Sequence, residues 1–448
     1  MKITLFVLSL CLTTFLSGCS PVVSVYPLYT QAEMEKPFLD PHLEGEWIMA
    51  DMDNADENTD VPRPTCRVSI LKSTAGDSPY TVEFRCPSSD GDSGEESSKY
   101  DLHLVSVNAA TFFDAQFIEF KEKEKHISLD DIAEKGIAPA HLLGQVWVQQ
   151  DFVRFASVQS DWVEKNWPTA FRVTSKVEEY DTMYILTNPT LDLRDLLYRN
   201  AGSEAAFGFP EYLCRAGTDC DARAVEDQLT RTPDNQEVLA GSAKFYSRRG
   251  NLPRAIGLQR HKIELNSGAA ADQFELGRLL VLARDFDGAR RALAIAQEPP
   301  RNPSIKELVV RSHFLQGDYA GTVQAAKSLQ APANLISADP IILSYFALYR
   351  LGRAKEAESY LQEQAATFVG PAQEHLFLLE VLGRVTDSWP SKDWDRSTYY
   401  YALNDLKNGK LESGRSHLQD LVGKRTKGNL VSLAAQMEVE RLGPAAPK

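Results

Sequence analysis

The sequence predicts an α+β, multidomain chain: an antiparallel β-meander curling into a barrel-like domain, followed by an α-helical solenoid. Two observations carry this. Apolar residues alternate with a period of about two through most of the first half, and the spacing then becomes helical in segments that repeat. The charge divides at the same place. Residues 20–218 hold 34 Asp and Glu against 17 Lys and Arg, whereas residues 219–448 hold 28 against 30. An acidic half beside a near-neutral half fits two domains with different work. The acidity argues against nucleic acid, which rewards basic surface.

A leader precedes both domains. Lys2 gives a positive start, Ile3–Phe15 is uncharged and apolar, and Leu16-Ser17-Gly18-Cys19 closes the run. That run is too short for a membrane span, which needs roughly 20 residues. Its ending resembles the bacterial lipobox, in which the cysteine is lipidated and becomes the first residue of the mature chain. The resemblance implies a lipoprotein signal peptide over residues 1–18, acyl chains on Cys19, and a tether over residues 19–36 that holds the protein at the lipid bilayer. Ser20, rather than Asp, after the cysteine implies the outer membrane of the cell envelope, with the protein facing the periplasm.

Four cysteines remain after Cys11 in the leader and Cys19: Cys66, Cys86, Cys214 and Cys220. An even number in an oxidising compartment predicts two disulfides. Strands at residues 66–72 and 79–86, folded about Gly76, place Cys66 opposite Cys86, and Cys214 and Cys220 close a tight loop around Gly217. Neither pair has the CxxC spacing that zinc favours.

The β-rich domain is expected over residues 37–218. Further strands are predicted at residues 47–50, 100–107, 111–120, 143–148, 152–156, 171–177 and 183–187, with helices at 160–167 and 189–200. Gly45-Glu46-Trp47 resembles the G-x-W that begins the first strand of lipocalin-like barrels. That resemblance implies that Trp47 plugs the closed end of a barrel whose open end holds a small apolar ligand. A carrier or sensor of a lipid or similar ligand is therefore the alternative function. Two acidic runs, Asp51–Glu57 and Asp90–Glu96, lack the order of an EF-hand loop and read as solvated turns, so no metal and no cofactor is expected.

The helical domain is expected over residues 219–442, with a tail at 443–448. Helix–turn–helix segments recur with turns at Gly250, Arg284, Gly317, Gly352 and Gly409, steps of 34, 33 and 35 residues before a longer one. Small residues punctuate the helices: Ala243 and Gly277 on first helices, Ala255, Ala289 and Ala357 on second ones, with Thr322 in the corresponding place of the third pair. This pattern resembles the tetratricopeptide repeat (TPR). A helix at 372–382 has no clear companion, and 429–442 reads as the solvating end helix of a stack. In the TPR family the first helices line a concave groove. Carried onto this chain, that line is Lys244, Arg248, Arg278, Arg311, Phe346, Arg350, Tyr399, Tyr400 and Lys407. Cations and aromatics on one concave face suit a carboxylate-bearing segment of a protein partner.

Motifs of chemistry are wanting. The histidines stand apart, with no HExxH, and neither a GxSxG nor a phosphate-binding glycine loop occurs. Ser69 and Lys72 match SxxK, but on a predicted strand residues three apart face opposite sides. The expected function is non-catalytic: a membrane-anchored scaffold that binds a protein partner.

Overall fold

The computed structural model describes residues 22–50, 65–73, 78–87, 95–122, 125–128, 140–166, 184–208, 210–266, 269–296, 303–329, 337–368, 371, 374–375, 378, 394–423 and 429–444. The expected leader with Cys19, the run Asp51–Glu57, most of Asp90–Glu96, Gly76, the strand expected at 171–177 and most of the helix expected at 372–382 lie outside the described residues. The chain divides into two units between Glu226 and Asp227.

In the first unit eight strands close on themselves. They are β2 (Gly45–Met49), β3 (Arg67–Lys72), β4 (Tyr80–Pro87), β5 (Glu95–Val107), β6 (Ala110–Glu122), β8 (His141–Val148), β9 (Phe152–Ser157) and β11 (Glu211–Arg215). Each pairs antiparallel with the next, and β11 returns to β2 to complete an antiparallel barrel. A short β7 (Lys125–Ser128) pairs with the end of β6. Asn108 and Ala109 join β5 to β6 with φ of 50° and 78°, the left-handed values of a tight two-residue hairpin.

Alternation sorts the side chains into two cores. Trp47, Val68, Ile70, Val82, Leu104 and Phe113 belong to the cluster that fills the barrel. Their neighbours Val105, Phe112 and Leu143 point outward to a second cluster with Trp162, Val163, Leu193, Leu197 and Phe207. Those last residues come from α2 (Ser160–Asn166), α3 (Thr190–Arg199) and α4 (Glu204–Phe207). Disulfides join Cys66 to Cys86, with Cα atoms 4.2 Å apart, and Cys214 to Cys220, 5.4 Å apart. The second ties β11 to α5 (Cys220–Arg231), whose Ala224 is packed against Phe152 and Tyr212.

Three strands, β1 (Val22–Ser24), β7 and β11, are additional to the sequence expectation. β11 is buried on both faces at Tyr212, Leu213 and Cys214, so it shows no alternation to read. β1 lies in the stretch expected to be a tether. It pairs antiparallel with β8 and parallel with β10 (Tyr184–Leu186), and α1 (Gln31–Glu35) follows it. Val22, Val23 and Leu28 are buried, and this apolar content draws the segment into the sheet.

In the second unit the described residues form five helical hairpins: α6 (Gln236–Arg248) with α7 (Leu252–Leu265), α8 (Ala270–Leu282) with α9 (Phe286–Ala296), α10 (Pro303–Gln316) with α11 (Tyr319–Lys327), α12 (Asp339–Arg350) with α13 (Ala354–Thr367), and α14 (Trp394–Lys407) with α15 (Leu411–Gly423). A final helix, α16 (Leu430–Leu442), ends the array. All five turn residues named from the sequence have positive φ: Gly250 78°, Arg284 63°, Gly317 86°, Gly352 77° and Gly409 77°. Asn235, Asn251, Asp318 and Asn429 accept backbone N–H bonds at the helix starts that follow them. The small residues work as their spacing implies. A Cβ on Gly277 would stand 2.7 Å from Leu293 of the paired helix, and Ala255, Ala289 and Ala357 are fully buried. Thr322 fits the third pair by turning its hydroxyl back to the Asp318 carbonyl at 2.8 Å.

Candidate functional site

The first helices present one register position four times, at residues 244, 278, 311 and 346. Lys244 on α6 is exposed. Arg278 on α8 is half-buried and donates to Glu275 one turn back, at 2.9 and 2.7 Å. Arg311 on α10 is bound to Asp339, and Phe346 on α12 is only 3% exposed. The inner face thus closes progressively along the array. The next first helix, α14, contributes Tyr399 and Tyr400, both 4% exposed, with Tyr400 stacked on Phe346.

What covers this end is α16. It packs on α8, α14 and α15, and it is fixed to the ends of three first helices by charge. Glu438, 1% exposed, accepts from Arg350 of α12 at 2.8 Å and from Arg441 of its own helix. Glu440 forms a two-pronged pair with Arg284, both bonds 2.8 Å, at the turn after α8. Arg441 reaches the Leu315 and Phe314 carbonyls at the end of α10, and Arg415 of α15 holds the Gly443 carbonyl at 2.7 Å. These are the last carbonyls of two helices, where cations are favoured.

Beneath α16 lies a buried charge network. Asp339 takes Arg396 at 2.6 Å on one oxygen and Arg311 on the other, and the Tyr400 hydroxyl donates to it. Arg396 also grips Glu374 with two 2.7 Å bonds. Burial pushes the Asp339 carboxyl up, but the two guanidiniums outweigh burial and hold it below the usual carboxylate range. Val431 and Ala434 of α16 close a cavity of about 10 Å³ over Arg311, Arg396, Tyr399 and Tyr400. The Tyr399 hydroxyl is buried there and finds no hydrogen-bond acceptor among the described residues.

The groove line read from the sequence is corrected accordingly. Phe346, Tyr399 and Tyr400 belong to the core, and Val431 and Ala434 of α16 lie against the two tyrosines. Arg311 and Arg350 carry internal carboxylates, and Lys407 donates to the Tyr345 hydroxyl at 2.7 Å beside the Tyr349 ring. Lys244 is exposed with no ion pair among the described residues, Arg350 is exposed but paired with Glu438, and Arg248 and Arg278 are half-buried. The end helix does more than solvate the last hairpin. Its buried side, Leu433, Ala434 and Ala435, with a glutamate four residues after Ala434, was the signal available. Arg284 was a second signal. A left-handed arginine costs about 1–2 kcal/mol relative to a right-handed one, and the other four turns use glycine.

In the barrel unit the structure brings together a group that sequence spacing hid. Asp114 and His141, 27 residues apart, meet at 2.7 Å with both side chains buried. The other Asp114 oxygen accepts the Leu28 N–H at 2.6 Å, and Tyr29 stacks on His103 at 3.8 Å. The group pins the segment after β1 to the outside of β6 and β8. At the head of β2, the Trp47 indole N–H donates to the Leu43 carbonyl at 2.8 Å, and Arg215 lies 3.8 Å over its ring. Gly45, at φ 131°, leaves the room that Arg215 occupies. Ser69 bonds to Glu46 across β2 and β3, so its hydroxyl is not directed at Lys72. Among the described residues no cluster of three metal-binding side chains occurs, and no helix is long and apolar enough to cross a membrane.

No protein-family model matches the chain, and no curated protein matches it. Solved structures do. MamA is 18% identical over 37% of this chain and 91% of that one, with a TM-score of 0.30. YrrB, described as a TPR protein with an unusual peptide-binding site, is 14% identical over 48% and 98%, with a TM-score of 0.27. PilW, described as a type IV pilus biogenesis factor, is 12% identical over 47% and 88%, with a TM-score of 0.31. The fold class is an antiparallel barrel followed by a solenoid of helical hairpins.

Proposed function

We propose that this chain is a non-catalytic, lipid-anchored protein of the cell envelope whose helical repeats bind a protein partner along their inner face. One observation supports it above the others: the inner face seats a helix, α16, against α8 and α14, while Lys244 on α6 stays exposed. A surface built to hold one helix has the shape and side chains to hold another polypeptide. Placing a photocrosslinking residue at Lys244 is expected to give one discrete adduct in cells, and the same residue at exposed Arg291 on α9 none. Identical adducts from the two positions would refute the inner face as the binding surface.

The anchor rests on the leader and Cys19, with the outer membrane, facing the periplasm, as the destination. Cys19→Ala is expected to move the protein from the membrane pellet to the soluble fraction almost completely, since acyl chains supply the membrane affinity. A variant that stays in the pellet removes the lipid anchor from this reading.

A further inference from the structure

Inside the helical unit, α16 occupies a surface whose chemistry is not its own. Without this helix, Arg284 and Arg350 would lose Glu440 and Glu438, and the seam over Tyr399 and Tyr400 would open. We propose that this seam is the partner's docking surface, that α16 is its intramolecular stand-in, and that the partner presents an amphipathic helix with two carboxylates for Arg350 and Arg284. The inference rests on the reading that the inner face binds a partner, and names the place and the chemistry.

Two features favour exchange over permanent closure. The Arg284–Glu440 pair is exposed to water on both sides, where an ion pair contributes little. The buried Tyr399 hydroxyl finds no acceptor under α16 among the described residues, a mismatch that a better-fitting helix would relieve. Meanwhile the seat itself is specified: a left-handed arginine stands where the other turns use glycine, and its guanidinium meets Glu440 squarely.

The probe is a fluorescent peptide of residues 429–444, added to the full-length protein. With α16 seated, apparent affinity falls by the fraction of open molecules. The Glu438→Lys, Glu440→Lys protein is therefore expected to bind the peptide about tenfold more tightly than wild type, or better. Adding Arg350→Glu should abolish that gain, and so should glutamine at both acidic positions of the peptide. Equal binding by wild type and variant, or binding indifferent to Arg350, overturns the proposal. So does a doubled mass by light scattering, which would mean exchange of α16 between copies. Should the variant fail to fold, hydrogen exchange of the wild-type chain decides: α16 amides must open more readily than those of α12, and equal protection refutes a releasable helix. Failure here with an intact Lys244 adduct overturns this assignment and leaves the partner-binding function standing.

Discussion

Asparagine in place of Asp339 is expected to lower the opening free energy of α10, α12 and α14 by about 3–5 kcal/mol, read by hydrogen exchange of their amides. The size follows from the surroundings. Asp339 has a 7% exposed side chain and answers two guanidiniums, Arg311 and Arg396, that are themselves largely enclosed. Asparagine keeps the volume but leaves two buried cations facing one neutral amide, with Glu374 still holding only Arg396. A contrasting substitution, Glu356→Gln, breaks the exposed pair with Arg353 and should cost about 1 kcal/mol or less. The pH dependence has a definite sign. The folded-state pKa of Asp339 is depressed, burial notwithstanding, because Arg311 and Arg396 dominate. Its contribution is therefore complete above the ordinary aspartate range near pH 4 and is lost as pH falls through the lower folded value. The gap between wild type and Asp339→Asn should narrow below about pH 4. A gap that is constant or widens there would contradict this account.

Trp47→Ala should destabilise the barrel unit by about 3–5 kcal/mol. The indole is 1% exposed, packs with Leu43, Val68 and Leu213, donates to the Leu43 carbonyl, and carries the Arg215 guanidinium on its face. Alanine removes the largest side chain of the barrel core and also releases Arg215, which donates to the carbonyls of His42 and Glu44 at 2.8 Å and so holds the entry to β2. Trp47→Phe keeps much of the apolar area and should cost less than half as much. Hydrogen exchange in β2, β3 and β11 distinguishes the two. If both variants behave like wild type, the indole is not part of what holds these strands.

How much of this was legible beforehand varied with the range of the interaction. Turn positions were readable because a left-handed residue between two helices leaves a local mark, and Arg284 could be placed by spacing alone even without glycine. The disulfide at Cys66 and Cys86 was readable because a hairpin brings near neighbours together. β1 and β11 were not, since three or five residues buried on both faces carry no period. Asp114 and His141 were hidden for another reason: they approach only once β6 pairs with β8, across a stretch that sequence spacing cannot measure.

By itself, then, the chain's order of residues determined a barrel-forming meander and a stack of helical pairs with their turns, because periodicity, small residues and turn chemistry act between neighbours. Which cations of the inner face meet water was decided only in three dimensions. Arg350 is 88 residues from Glu438, and Arg284 is 156 from Glu440. Their pairing depends on where the last helix comes to rest, and burial and charge compensation at that distance leave no periodic trace.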